Sequence, residues 1–228
     1  MTHQTSQARR EPTLWHEPLG SAGSADAGRR VVIGRQGIYT ATGDLFGYEL
    51  LFCSPVAQVR VDLWDAADQD RATEHVIAAA FHMPQAEPIG ALAFVNFTHT
   101  FLLGRPYIGF SPDQAVIEVV ESAFATRDLS RRLDDLRTQG YRVAIDDFVG
   151  TDSQIDLLEH ADFIKIDVRD LAALGPELVA LASQAGVPLI AERVETADVL
   201  DTCAQMGFTL IQGHVFERAQ VIERGLAA

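Results

Sequence analysis

Glu49, Asn96, Glu118, the pair Asp146-Asp147, Lys165, Glu192 and Gln212 each lie at or just past the end of an apolar run. Brought to one place, they would form a ring of acids. Carboxylates a few ångströms apart resist joint ionisation unless a cation neutralises them. Oxygen donors of this kind favour a hard divalent ion, Mg2+ or Mn2+. Zinc would require His or Cys, and the seven histidines, among them His75, His82 and His99, show no paired ligand spacing on one face. They read as surface or packing residues. Lys165 lies between Ile164 and Ile166, and a strand lysine among apolar neighbours needs an anion partner. Taken singly, Asp146-Asp147 is equally an ordinary turn or helix-capping pair, and Asn96 before Thr98 could simply begin a turn. The set, not any member, points to chemistry.

The elements that must position this set alternate between strand and helix. Val31-Val32-Ile33 and Gly47–Phe52 read as strands around the turn Ala41-Thr42-Gly43-Asp44, an opening hairpin. A helix over Gln69–Phe81, with Pro84 as its stop, precedes the strand Leu92–Phe97. Then come a strand near Ala115–Val120, a helix Leu129–Gln139 closed by Gly140, and a strand Arg142–Asp146. A short helix near Gln154–Glu159, a strand Phe163–Asp167, a helix ending before Gly186 and a strand Val187–Ala191 follow. A helix over Ala197–Met206, capped by Gly207, leads to the last strand, Phe208–Gln212. Repeated units with strands apolar on both faces indicate a parallel sheet covered by helices. This many can close into a (β/α)8 barrel, whose strand C-termini form one rim where such enzymes carry their sites. An open doubly wound sheet is the competing architecture.

With 228 residues, 47% of them apolar, the chain can bury one substantial core, and a barrel of about 200–250 residues is ordinary at this size. Residues 1–30, rich in Ser, Ala, Gly, Arg and Glu, offer no sustained apolar period and read as a flexible tail, leaving 31–228 as the domain. The formal net charge of −14 gives no general source of attraction to a phosphate backbone, so no nucleic-acid polymer is expected as a partner. The two cysteines, Cys53 and Cys203, lie far apart and suit a reducing compartment, the cytoplasm. No apolar run approaches the ~18 residues of a membrane span.

Between about Val31 and Arg218 the chain carries seven motifs in order: Tyr48-Glu49-Leu50-Leu51, Phe94-Val95-Asn96-Phe97, Glu118-Val119-Val120-Glu121, Asp146-Asp147-Phe148, Ile164-Lys165-Ile166-Asp167, Ala191-Glu192-Arg193-Val194-Glu195 and Gln212-Gly213. This succession resembles the EAL domain family of cyclic diguanylate phosphodiesterases. The resemblance implies an EAL-type (β/α)8 TIM-like barrel with an opening hairpin and one irregular or antiparallel strand. It also implies hydrolysis of cyclic di-GMP to linear pGpG with two Mg2+ or Mn2+ ions. Glu49, Asn96, Glu118, Asp146 and Asp147 are then the metal ligands. Lys165 positions water or steadies phosphate, Glu192 completes the metal site or accepts a proton, Gln212 orients the water shell, Glu121 holds the loop after Asp147, and Gln36 with position 53 contacts substrate. Two departures stand out: Cys53 occupies the place of the family's phosphate-gripping arginine, and Val149-Gly150-Thr151-Asp152-Ser153 replaces its glycine-rich loop. Both resemble the EAL part of EAL-HDOD proteins. They motivate an alternative, a degenerate module that binds cyclic di-GMP or a protein partner without turnover. Relatives of this kind often form homodimers.

Overall fold

The computed structural model describes residues 30–53, 64–82 and 90–225. The expected tail, apart from Arg30, and Pro84 lie outside these residues. Strand β1 (Arg30–Thr40) turns through Ala41–Asp44 into β2 (Leu45–Phe52) as an antiparallel hairpin, its turn closed by Thr40 N–H donating to Asp44 O at 2.8 Å. From β2 the sheet runs in parallel through β3 (Leu92–Phe97), β4 (Ala115–Val119), β5 (Arg142–Ile145), β6 (Phe163–Asp167), β7 (Leu189–Glu192) and β8 (Leu210–Gln212). Strand β8 pairs back onto β1, so β1–β8 close into a barrel with β1 antiparallel to both neighbours. Closure excludes the open sheet. A last strand, β9 (Gln220–Gly225), adds antiparallel to the first half of β1.

Helices connect the strands: α1 (Ala66–Ile77, continued by a wider turn over Ala78–His82), α2 (His99–Gly104), α3 (Arg127–Thr138), α4 (Asp152–Leu157), α5 (Val168–Leu174), α6 (Glu177–Ala182) and α7 (Ala197–Gln205). Most begin at a side chain suited to capping the first turn. Asp65, Thr98, Thr126, Thr151, Asp167 and Thr196 accept from the backbone N–H groups left free there. Helix α2 and strand β9 were not anticipated, being short and weakly periodic. The helix expected before Gly186 is two helices, interrupted where Gly175 takes φ 87° and Pro176 follows.

The strands are apolar on both faces because helices cover the outside and side chains fill the inside. Inside, Ile38, Phe94, Val116, Ala144, Phe163, Ile190 and Leu210 form one packed layer. Phe94 and Phe163 meet edge to face at 5.4 Å between ring centres. Gly47 makes room for this layer, since a Cβ there would come within 3.1 Å of the Phe94 ring and 2.6 Å of Leu92 O. Outside, residues of opposite parity such as Val95, Ile117, Ile145, Ile166 and Ala191 pack beneath Leu129, Leu133 and Leu136 of α3 and Leu178 and Val179 of α6. Side chains alternate along a strand, so the residue two places beyond each interior apolar position also points inward, one layer nearer the rim.

Candidate active site

Two residues past the apolar layer the barrel interior becomes polar. Asn96 follows Phe94, Glu118 follows Val116, Asp146 follows Ala144, Lys165 follows Phe163, Glu192 follows Ile190 and Gln212 follows Leu210, while Glu49 stands two past Gly47. On β1, which runs the other way, Gln36 takes the same level above Ile38 and is paired in register with Glu49. Parallel register sets Asn96 beside Glu118, and Asp167 beside Glu192.

At the centre is Lys165, fully buried. Its Nζ lies 2.8 Å from Glu118 Oε1, 2.9 Å from Asp146 Oδ1, 2.9 Å from Glu192 Oε1 and 3.4 Å from Glu49 Oε2. None of these contacts has the alignment of a good hydrogen bond, so they are ion pairs in a water-poor interior. An ammonium has three N–H groups and cannot satisfy four carboxylates in directed fashion. Burial alone would push the lysine down, but the surrounding acids reverse this and hold it charged, its pKa well above the ordinary value.

The acids respond differently, and their donors explain why. Burial pushes Glu49 up, but Lys165 and hydrogen bonds from Gln212 Nε2 (2.5 Å) and Asn96 Nδ2 (3.2 Å) more than offset it, leaving Glu49 below the usual carboxylate range. Glu118 lies nearer the lysine, yet neither of its oxygens accepts a well-formed hydrogen bond. Burial, with Glu49 and Asp146 nearby, raises it well above that range. Burial also dominates at Asp146, pushed up to about 6, and at Glu192, which is raised well above its usual value. Four carboxylates thus share one cation.

Asn96 Oδ1, Glu118 Oε2 and Gln212 Oε1 are buried without a hydrogen-bond partner. Orphaned oxygens beside raised carboxylates suit a hard divalent cation, which takes oxygen ligands and displaces protons. Gln212 Nε2 also approaches Gln36 Oε1 at 3.3 Å, so the expected Gln36 joins the polar layer. Gly213, next to Gln212, has no room for a Cβ against the Val194 backbone, and Val194 N–H donates to Gln212 O at 3.1 Å.

Asp147 behaves differently from its neighbour. Its backbone is left-handed, φ 43°, and its carboxylate groups with Asp167 and Asp170, their oxygens within 4.8 Å of one another. Burial raises Asp147, helped by the charges of Glu121 and Asp167. Asp167 is buried yet held low by Arg169, whose Nε and Nη2 meet its two oxygens, and by Arg193 Nε at 2.9 Å. Arg193 also has a left-handed backbone, φ 57°. Glu121 is exposed on the turn after β4, acting on Asp147 through charge. Cys53 is a buried free thiol just past β2, on the inward parity of Glu49. Sequence reasoning missed Asp167 as a centre of its own, although it ends the lysine strand. It also missed Gln154, a buried amide with four contacts to the Asp146–Thr151 backbone. Among the described histidines, His75 meets Phe52 edge to face at 5.1 Å and the buried His160 pairs with Asp134 at 2.8 Å, while His82 and His214 are exposed.

The chain is similar to known proteins in sequence and in fold. Over 218 residues the chain is 30% identical to the cyclic di-GMP phosphodiesterase CdgJ of Vibrio cholerae serotype O1, covering 92% of this chain and 49% of that protein. It is 31% identical over 201 residues to the uncharacterized protein YuxH of Bacillus subtilis strain 168, covering 85% of this chain and 48% of YuxH. The chain therefore spans about half the length of these curated relatives. A solved structure of Klebsiella pneumoniae BlrP1, a manganese/cy-diGMP complex at pH 9.0, superposes with a TM-score of 0.64 at 26% identity, over 85% of this chain and 57% of that one. The family model for the EAL domain matches residues 106–219, from the approach to β4 through the rim after β8, a span that includes Glu118, Asp146, Lys165, Glu192 and Gln212. With its barrel closed by an antiparallel first strand and these residues gathered inside one end, the chain belongs to the EAL domain family.

Proposed function

We propose that this chain hydrolyses cyclic di-GMP to linear pGpG, and that it does so in the bacterial cytoplasm with two divalent cations, Mg2+ or Mn2+. The observation that carries the reading is the buried cluster of four carboxylates on Lys165, flanked by amide and carboxylate oxygens without partners. Glu49, Asn96, Glu118, Asp146 and Asp147 would hold the ions. When bound, these ions supply Lewis-acid activation of water and neutralise phosphate charge. The similarity to CdgJ and to the BlrP1 complex supports the choice of substrate.

The chain's own residues divide the remaining work. Lys165 keeps a fixed positive charge where four acids meet, the place where an incoming phosphodiester needs compensation. Glu192, raised well above the usual carboxylate range by burial, can take and return a proton. Gln212 and Asn96 fix the Glu49 carboxylate in one orientation, and Gln36 steadies Gln212 from β1. Glu121 tunes Asp147 electrostatically. Gln36 and position 53 would contact the dinucleotide. A second reading, binding of cyclic di-GMP or a protein partner without turnover, is favoured by one observation: Cys53 is a buried neutral thiol where the family's arginine would stand. A homodimer is compatible with either. Incubation of the purified protein with cyclic di-GMP and Mn2+, followed by chromatography, separates the two. Accumulation of pGpG supports hydrolysis, and tight binding with no product supports the module.

A further inference from the structure

Asp146 and Asp147 are consecutive, yet their carboxylates serve different clusters, so the backbone between them must be held in place. Asp146 N–H donates to Val119 O at 3.1 Å and Phe148 N–H donates to Lys165 O at 2.9 Å, which ties the segment to β4 and β6. Asp147, between them, has φ 43°, a left-handed conformation uncommon for non-glycine residues, though Asp adopts it more readily than most. No strand reaches its carbonyl. Gln154, from the first turn of α4, does so: its Nε2 donates to Asp147 O at 2.9 Å and approaches Asp146 O at 3.4 Å. Its Oε1 accepts from Val149 N–H at 2.9 Å and Thr151 N–H at 3.3 Å. The amide orientation is fixed by its partners, because carbonyls only accept and backbone N–H groups only donate. The residue is 3% exposed, and the Thr151 cap anchors its own backbone.

We propose that Gln154 is a positioning residue for the metal-binding acids. Both halves of its amide clamp the loop that sends Asp146 toward Lys165 and Asp147 toward Asp167 and Asp170. The loop departs from the family's glycine-rich form at Val149-Gly150-Thr151, and the clamp supplies by side chain the rigidity that this loop needs. Such a residue acts through the loop and touches no reacting atom. The inference rests on the metal-dependent reading above.

The test uses the full chain with Gln154→Leu and Gln154→Glu. Leucine keeps the volume and loses all four contacts, whereas glutamate keeps the acceptor for the two N–H groups and loses the donor for the two carbonyls. With Gln154→Leu, hydrogen exchange at Val149 and Thr151 should speed up about tenfold while β4 and β7 stay protected, and calorimetric titration should give an Mn2+ dissociation constant about tenfold higher. Gln154→Glu should keep slow exchange at those two amides and still bind Mn2+ more weakly than wild type. A purely structural role would lower the melting temperature and leave both readouts unchanged. The proposal is overturned if folded Gln154→Leu shows wild-type exchange or wild-type Mn2+ affinity. If that variant does not fold, Mn2+ affinity in Gln154→Glu equal to or tighter than wild type overturns it. Should the wild type bind no Mn2+, the metal reading fails separately, and unchanged exchange in Gln154→Leu overturns the clamp.

Discussion

Replacing Lys165 with methionine removes the cation that four carboxylates share while keeping an unbranched side chain of similar length. The contacts at 2.8, 2.9 and 2.9 Å each correspond to roughly 6 kcal/mol of attraction at an effective dielectric of about 20, and the one at 3.4 Å to roughly 5. Most of this is offset by desolvation of five charged groups and by repulsion among the acids. Removing one partner of a buried ionic cluster therefore costs about 3–5 kcal/mol, not the Coulomb sum. For a domain of this size that is a fall of about 10 °C in melting temperature, give or take a factor of two. The sign with pH follows from the protons. Without the ammonium the acids titrate still higher in the folded state, so folding takes up protons and stability falls as pH rises above the usual carboxylate range. The deficit should be smaller at pH 5 than at pH 8. Mn2+ at pH 8 should close part of it by binding the folded state alone. Thermal unfolding of both proteins at the two pH values, in EDTA and in Mn2+, measures each of these differences. A variant melting within 2 °C of wild type at pH 8 in EDTA would refute the view of Lys165 as the electrostatic keystone.

Asp146→Asn should abolish hydrolysis while circular dichroism stays unchanged, because a neutral amide is a poorer ligand for a hard divalent ion; an unchanged rate at saturating metal counts against the two-cation reading. Wild-type Mn2+ affinity should rise steeply from pH 5.5 to 8, since Asp146 titrates at about 6 and Glu118 and Glu192 are raised by burial, so cation and proton compete for the same oxygens; a flat calorimetric profile would contradict this. Cys53→Arg should tighten cyclic di-GMP binding about tenfold in the calcium-loaded protein, the worth of one charge-assisted hydrogen bond, and the gain should shrink with salt; equal affinity in a well-folded variant rejects position 53 as a phosphate contact.

The strand-helix succession was legible because local periodicity encodes it. Phe94 and Asn96, Val116 and Glu118, and Phe163 and Lys165 each place an apolar side chain and a polar one two residues apart, which in a strand means the same face at successive levels. The type and level of most site residues were therefore written locally. Their meeting was not, because register and closure are set by pairings between distant segments. Glu49 reaches Gln212, 163 residues away, only once β1 joins β8 to β2. Tertiary structure alone also separated Asp146 from Asp147, which sequence treats as a pair, through a single left-handed residue. It likewise chose Gln154, an ordinary helix-start glutamine by pattern, as the group that satisfies two carbonyls and two amides no strand can reach. Sequence determines what each side chain can do, whereas which carboxylates share one ammonium depends on distances of a few ångströms that only the closed barrel sets.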